Sequence, residues 1–140
     1  MALVLDTGPL LAALDTNDRD HARCLAMTES VREDFIVPSH VLVELDYWLR
    51  KRRAVAVWET FAEDVADGAY RLYQPDESDL LRAAELEAQY ASLDLGLVDA
   101  SVIVACERLR ENKVATLNRR HFSVVRPRHC DALTLLPELT

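Results

Sequence analysis

Three carboxylates in this chain stand where solvation alone does not easily account for an ionised side chain: Asp6, Glu44 and Asp99. Asp6 closes the apolar run Ala2-Leu3-Val4-Leu5 and is followed by Thr7-Gly8-Pro9, the pattern of a buried strand turning into a helix. There it either caps the helix beginning near Pro9 or presents a carboxylate beyond the strand end. Glu44 falls on a helical wheel beside Val41, Leu45 and Trp48, at the edge of an apolar stripe, whereas Asp46 points away. Its partner is either an Arg or Lys side chain or a cation. Asp99 lies in the first turn of the most apolar helical segment, on the stripe of Val102, Ile103 and Cys106. A charge there is costly unless paired or metal-bound, although an acid in a first turn also favours the helix dipole. Asp94, just before this helix, is the expected N-cap and a weaker ligand candidate.

Acids that each precede or enter a helix suit one or two Mg2+ or Mn2+ ions, because hard cations take oxygen ligands and neutralise mutual repulsion. Such ions activate water and stabilise charge during attack on a phosphodiester. Softer-metal chemistry is disfavoured. Cys24, Cys106 and Cys130 are widely spaced and form no C-x-x-C, and His21, His40, His121 and His129 form no helical H-x-x-x-H pair. The thiols are expected to be reduced and partly buried. The net charge of -8 argues against a protein that coats nucleic acid. The basic residues are nevertheless clustered, at Arg50-Lys51-Arg52-Arg53 and from Arg119-Arg120 to Arg126 and Arg128, so a local basic rim is compatible with the acidic average.

The elements that must position the acids follow from periodicity. Ala2 to Leu5, Phe35 to Val37, Tyr70 to Tyr73, Val114 to Leu117 and Leu133 to Leu136 read as strands. Helices are predicted from Pro9 through Leu14, over Asp18 to Arg32, from His40 to Arg50 with Ser39 as N-cap, and over Val55 to Ala66 with Gly68 as the stop. Two more span Asp76 to Tyr90 and Leu97 to Leu109, the latter apolar on nearly every side and therefore central. Alternating strands and helices, with continuously apolar strands, predict an α/β fold: a parallel sheet flanked by helices in one domain over residues 1–140. Trp48 and Trp58 serve either the core or an interface. No segment reads as a signal peptide or a membrane span, which predicts a cytoplasmic protein.

Four blocks, Leu3-Val4-Leu5-Asp6-Thr7-Gly8-Pro9-Leu10-Leu11, Pro38-Ser39-His40-Val41-Leu42-Val43-Glu44-Leu45, Leu95-Gly96-Leu97-Val98-Asp99-Ala100 and Ala115-Thr116-Leu117-Asn118-Arg119-Arg120-His121-Phe122, resemble in order and interval the PIN-domain ribonucleases, specifically VapC toxins of bacterial toxin-antitoxin pairs. The resemblance covers almost the whole chain. It implies an α/β/α fold, Mg2+- or Mn2+-dependent endoribonuclease activity, an RNA substrate, a VapB-type antitoxin partner and a homodimer. Asp6, Glu44 and Asp99 match the family's acidic, metal-holding positions. Thr7 would hold Asp6 or a water through its hydroxyl, with Ser39 and Ser101 as weaker helpers. The departure is Asn118, where many members carry aspartate, so one corner brings no charge. Arg119 and Arg120 would meet RNA phosphate or pair with neighbouring acids, while His121 reads equally as a structural imidazole. Two alternatives remain: a PIN-like nuclease of RNA or DNA processing, and a weakened PIN-like binding or regulatory domain.

Overall fold

The computed structural model describes residues 1–138. Five short strands, β1 (Ala2–Leu5), β2 (Asp34–Pro38), β3 (Arg71–Tyr73), β4 (Lys113–Ala115) and β5 (Thr134–Leu136), pair in the order β3-β2-β1-β4-β5, parallel throughout. Seven helices connect them: α1 (Thr7–Leu14), α2 (His21–Ser30), α3 (Ser39–Lys51), α4 (Val55–Ala66), α5 (Glu77–Gln89), α6 (Leu97–Leu109) and α7 (Arg119–Val124). The predicted α/β class is therefore the observed one.

β1 is central because it is buried on both faces: Leu3, Val4 and Leu5 have no solvent exposure. A parallel strand covered on both sides must be apolar at every position rather than at alternate ones. The chain runs outward from β1 through β2 to β3, then returns through α5 and α6 to β4 on the other side of β1. The strand order thus reverses between β1 and β4, which opens a crevice beyond their carboxyl ends.

Three helices matter for that crevice. α1 packs on α2 and α3, and α5 on α6, while α6 also lies against β1 and β2. The run Ala100 to Cys106 in α6 is buried without interruption, as its all-round apolarity predicted. α3 buries the single stripe Val41, Leu45 and Leu49, leaving the opposite face open.

Local boundaries differ from the sequence reading for identifiable reasons. α1 begins at Thr7, placing Pro9 inside the first turn, where its missing N–H costs nothing. Ser39 is the first residue of α3, with Pro38 as an N-cap that makes no side-chain bond. Asp94 ends a single 3-10 turn over Ala91–Leu93 at φ 56°, and Gly96 takes the N-cap of α6. Gly68, at φ +90°, follows α4 in a conformation that favours glycine, as its role as a stop required. α2 starts three residues after Asp18, because the Asp18 carboxylate accepts from the Asp20 N–H at 2.8 Å in a turn. β4 stops at Ala115, and α7 was not anticipated.

Ile103, fully buried on α6, tests this packing. Ile103→Ala should lower stability by about 2–5 kcal/mol in urea denaturation, whereas Glu59→Gln on the exposed side of α4 should change it by less than about 0.5 kcal/mol.

Candidate active site

The crevice at the strand reversal is lined by Asp6, Thr7, Gly8, Leu11, Glu44, Trp48, Asp99, Leu117 and Asn118, enclosing about 420 Å3. The three carboxylates proposed from sequence therefore face one cleft. They arrive from separate elements: Asp6 from the end of β1, Glu44 from the second turn of α3 and Asp99 from the first turn of α6.

Asp6 is the most constrained. Its backbone N–H donates to Ala115 O at 2.9 Å, continuing the β1–β4 pairing by one residue. Oδ1 accepts the Thr7 N–H at 2.9 Å, capping α1, and Oδ2 accepts the Thr116 hydroxyl at 2.8 Å. Capping a helix and facing the cleft are thus not alternatives; one carboxylate does both. Only 6% of Asp6 is exposed. Burial, then the charge of Asp99 and, less strongly, that of Glu44 push its pKa from 3.8 to about 6, against the two hydrogen bonds that favour the anion.

Thr7 does not direct its hydroxyl at Asp6. Its Oγ1 donates to Glu44 Oε1 at 2.6 Å, tying α1 to α3. The Glu44 carboxylate has no Arg or Lys partner among the described residues, so the salt-bridge reading of its position fails and the cation reading stands as a proposal.

Asp99 meets His121, whose Nδ1 lies 2.7 Å from Asp99 Oδ2. The same nitrogen is 2.9 Å from Asn118 Nδ2, and one ring nitrogen either donates or accepts. Donation to the carboxylate is the stronger bond. Asn118 is the N-cap of α7, its Oδ1 accepting the His121 N–H at 3.4 Å, while its own N–H donates to Thr116 Oγ1 at 3.0 Å. Thr116, Asn118 and His121 thus form a bracket between Asp6 and Asp99.

Other candidates are placed elsewhere. Arg119 Nη2 donates to the carbonyls of Leu135 at 3.2 Å and Pro137 at 2.7 Å, so its guanidinium is held by the end of β5. Arg120 is exposed at the start of α7. Ser101 is buried, 3.1 Å from His40 Nδ1 in a different cavity, and does not reach the acids. Two members of the basic cluster at the end of α3 are engaged: Arg50 pairs with Asp46 at 3.2 Å, and Arg52 bridges Asp15 and Asp18 at 2.8 Å each.

Sequence reasoning missed Thr116 and left His121 open between a structural and a catalytic imidazole. The local signal for His121 was available, since Asn118 three residues earlier is an N-cap type. Its reach to Asp99, and that of Thr116 to Asp6, depends on which strands are neighbours.

The donor set fits a hard divalent cation. Every group is an oxygen, and Asp6 carries a burial and repulsion penalty that a positive charge would remove. Among the described residues, no three His, Cys, Asp or Glu side chains already form a coordination shell. Mg2+ does not require one, because it keeps several waters and uses one or two carboxylates.

The PIN domain family model matches residues 3–126, and the chain belongs to the PIN domain family. Within that family its kinship is with the VapC type: over 135 residues, 96% of this chain and all of the relative, it is 31% identical to Ribonuclease VapC26 of Mycobacterium tuberculosis. The fold is shared with the crystal structure of VapC20 from the same organism, a Sarcin-Ricin loop cleaving toxin (TM-score 0.75, 17% identity, 80% of this chain and 86% of that one). It is also shared with VapBC2 from Rickettsia felis bound to a promoter DNA fragment (TM-score 0.66, 17% identity, 96% and 97%). A toxin-antitoxin complex from Klebsiella pneumoniae matches similarly (TM-score 0.66, 17% identity, 88% and 92%).

The raised pKa of Asp6 has a definite sign in stability. Between pH 4 and 6 the native protein holds a proton that the unfolded chain has lost, so stability from this group falls as pH rises through about 6, by about 3 kcal/mol in all. With chelator present, Asp6→Asn should be more stable than the parent at pH 7 and show a flatter pH profile in urea titrations. A parent whose stability is level between pH 4 and 7 would refute the raised value.

Proposed function

We propose that this protein is a Mg2+- or Mn2+-dependent endoribonuclease, the toxin of a type II toxin-antitoxin pair. The observation that carries this reading is the convergence of Asp6, Glu44 and Asp99 on one cleft at the strand reversal, with Asp6 held above its ordinary pKa by burial and by its neighbours. The 31% identity to a named ribonuclease along nearly the whole chain supports the substrate class.

In this reading Asp6 and Asp99 hold the cation, and Glu44 acts directly or through water. The bound ion would lower the pKa of water and offset charge on the phosphate. The chain's own residues do the positioning. Thr116 and the Thr7 N–H fix both oxygens of Asp6, the Thr7 hydroxyl orients Glu44, and His121 orients Asp99. Asn118 sets the start of α7, and with it the placement of His121, rather than adding a fourth charge. Arg120, exposed beside this bracket, is the remaining candidate for a phosphate contact.

A VapB-type antitoxin would silence the enzyme by covering the cleft and matching its negative charge with a cationic side chain. The toxin-antitoxin complexes among proteins of the same fold support such a partner. Val43 and Tyr47 on α3 and Leu80 and Leu81 on α5 are exposed apolar residues that suit a homodimer contact. No helix among the described residues is long and apolar enough to cross a membrane. A single domain acting on cellular RNA would work in the cytoplasm.

Loss of a carboxylate that holds the cation should exceed the ~10–100-fold typical of its supporting partners. Asp99→Asn should therefore slow RNA cleavage by more than about 100-fold and His121→Ala by about 10–100-fold, and EDTA should abolish cleavage until Mg2+ is restored. Cleavage that persists in excess EDTA, or in Asp99→Asn, sinks the mechanism. Adding the absent charge with Asn118→Asp should tighten Mg2+ binding about tenfold by calorimetry; unchanged affinity would remove any electrostatic role for this corner.

A further inference from the structure

The acid cleft has one aromatic wall. Trp48 lies on α3 one turn beyond Glu44, so the two side chains share a face of the helix. It lines the cleft with the three carboxylates, yet remains 43% exposed. Tyr47 restrains it through a T-shaped contact, ring centroids 5.2 Å apart at 83°. The core does not need this indole, because α3 is anchored by Val41, Leu45 and Leu49, all fully buried. Leu11 and Leu117 add the remaining apolar lining.

We propose that Trp48 is a stacking platform for an unpaired RNA base adjacent to the phosphate addressed by the carboxylates. The proposal rests on the ribonuclease reading above and names the feature of RNA that the cleft selects. One helical turn, about 5.4 Å, separates Glu44 from Trp48, the scale of a single nucleotide. A base inside a duplex has both faces covered by its neighbours, so only an unpaired or extruded base can use the indole. The electrostatics favour such a contact. With a net charge of -8 and Arg50, Arg52 and Arg119 engaged within the protein, ionic attraction for the phosphate backbone is limited, and a non-ionic contact adds affinity that does not depend on it. Stacking also tolerates any base, since each presents a π-face.

The chain has two tryptophans, so in Trp58→Phe protein Trp48 emission reports on the cleft alone. With all three carboxylates intact and Ca2+ supplied in place of Mg2+ to slow cleavage, a mixed-sequence single-stranded RNA should quench that emission by about half or more through stacking, and the same RNA annealed to its complement should not. In otherwise native protein, Trp48→Ala should raise KM for a single-stranded RNA about 10-fold, equivalent to about 1.4 kcal/mol, with kcat within about 3-fold; Trp48→Phe should restore KM to within about 3-fold. If Trp48→Ala fails to fold by circular dichroism, the quenching and Trp48→Phe decide. Unchanged KM in Trp48→Ala, equal quenching by duplex, or emission altered by an antitoxin protein but not by RNA would overturn the proposal. Wild-type cleavage with any of these results sinks the stacking role alone, whereas absence of RNA cleavage by the wild type removes the ribonuclease reading with it.

Discussion

The repulsion among Asp6, Asp99 and Glu44 is the interaction around which the rest of this structure is arranged. Like charges at close range destabilise one another, and burying Asp6 strengthens the effect by removing water that would screen it. Such a cluster keeps its negative potential only if each member is held by bonds that do not themselves carry compensating charge into the cleft. Thr116 and the Thr7 N–H do this for Asp6, and the Thr7 hydroxyl does it for Glu44. His121 holds Asp99 from the side of α7, where its ring is largely buried. No lysine or arginine pairs with these acids among the described residues, although arginines elsewhere are used freely to pin helices together. The negative potential is therefore preserved rather than quenched.

The tethers work only because the sheet brings their owners together. Asp6 and Thr116 are separated by 110 positions, yet β1 and β4 are parallel neighbours, with Leu5 opposite Ala115, so the residue that follows each strand emerges at the same edge. α6 delivers Asp99 to that edge because its next seven residues are buried and cannot rotate without exposing apolar surface. The expense of holding Asp99 near the core is thus carried by packing further along the same helix. Glu44 is positioned by the same logic on α3, where Val41, Leu45 and Leu49 settle the rotation of the helix and leave Glu44 and Trp48 turned to the cleft.

Much of this was legible in the sequence, and what was not shares a cause. Continuous apolarity of Ala2 to Leu5 identified a strand buried on both faces, and the all-round apolarity of Leu97 to Leu109 identified the central helix. Helical periodicity placed Glu44 at the boundary of a buried stripe. Those signals are local, and so were their readings. Pairing order is not local: nothing near Thr116 says that it will meet Asp6, and nothing near His121 says that it will meet Asp99. α7 escaped notice because six residues, with Phe122 its one buried side chain, are too few to show a period. Arg119 was expected at an RNA phosphate from its place directly after Asn118, but its guanidinium donates to the carbonyls of Leu135 and Pro137 at the end of β5.

The distribution of charge explains how an acidic protein can be compatible with an anionic substrate. Arg52 joins the α1–α2 connection to the end of α3, Arg82 joins α5 to Glu107 on α6, and Arg108 holds Asp79 at the start of α5. Guanidinium groups used in this way are fixed braces and contribute little outward field. On the proposed reading, attraction for a phosphate backbone would come from Arg120 and from the cleft, where the cation that relieves Asp6 would also face the substrate's charge. Affinity would then be conditional on the ion, which would offset most of the charge of the three carboxylates and leave their repulsion of a phosphate much reduced. An apolar wall at Trp48 complements such a site, because stacking gains from exclusion of water and does not depend on the sign of the surrounding field. Affinity and chemistry would then be gated by one event, the binding of a cation among three acids that the fold holds together against their own repulsion.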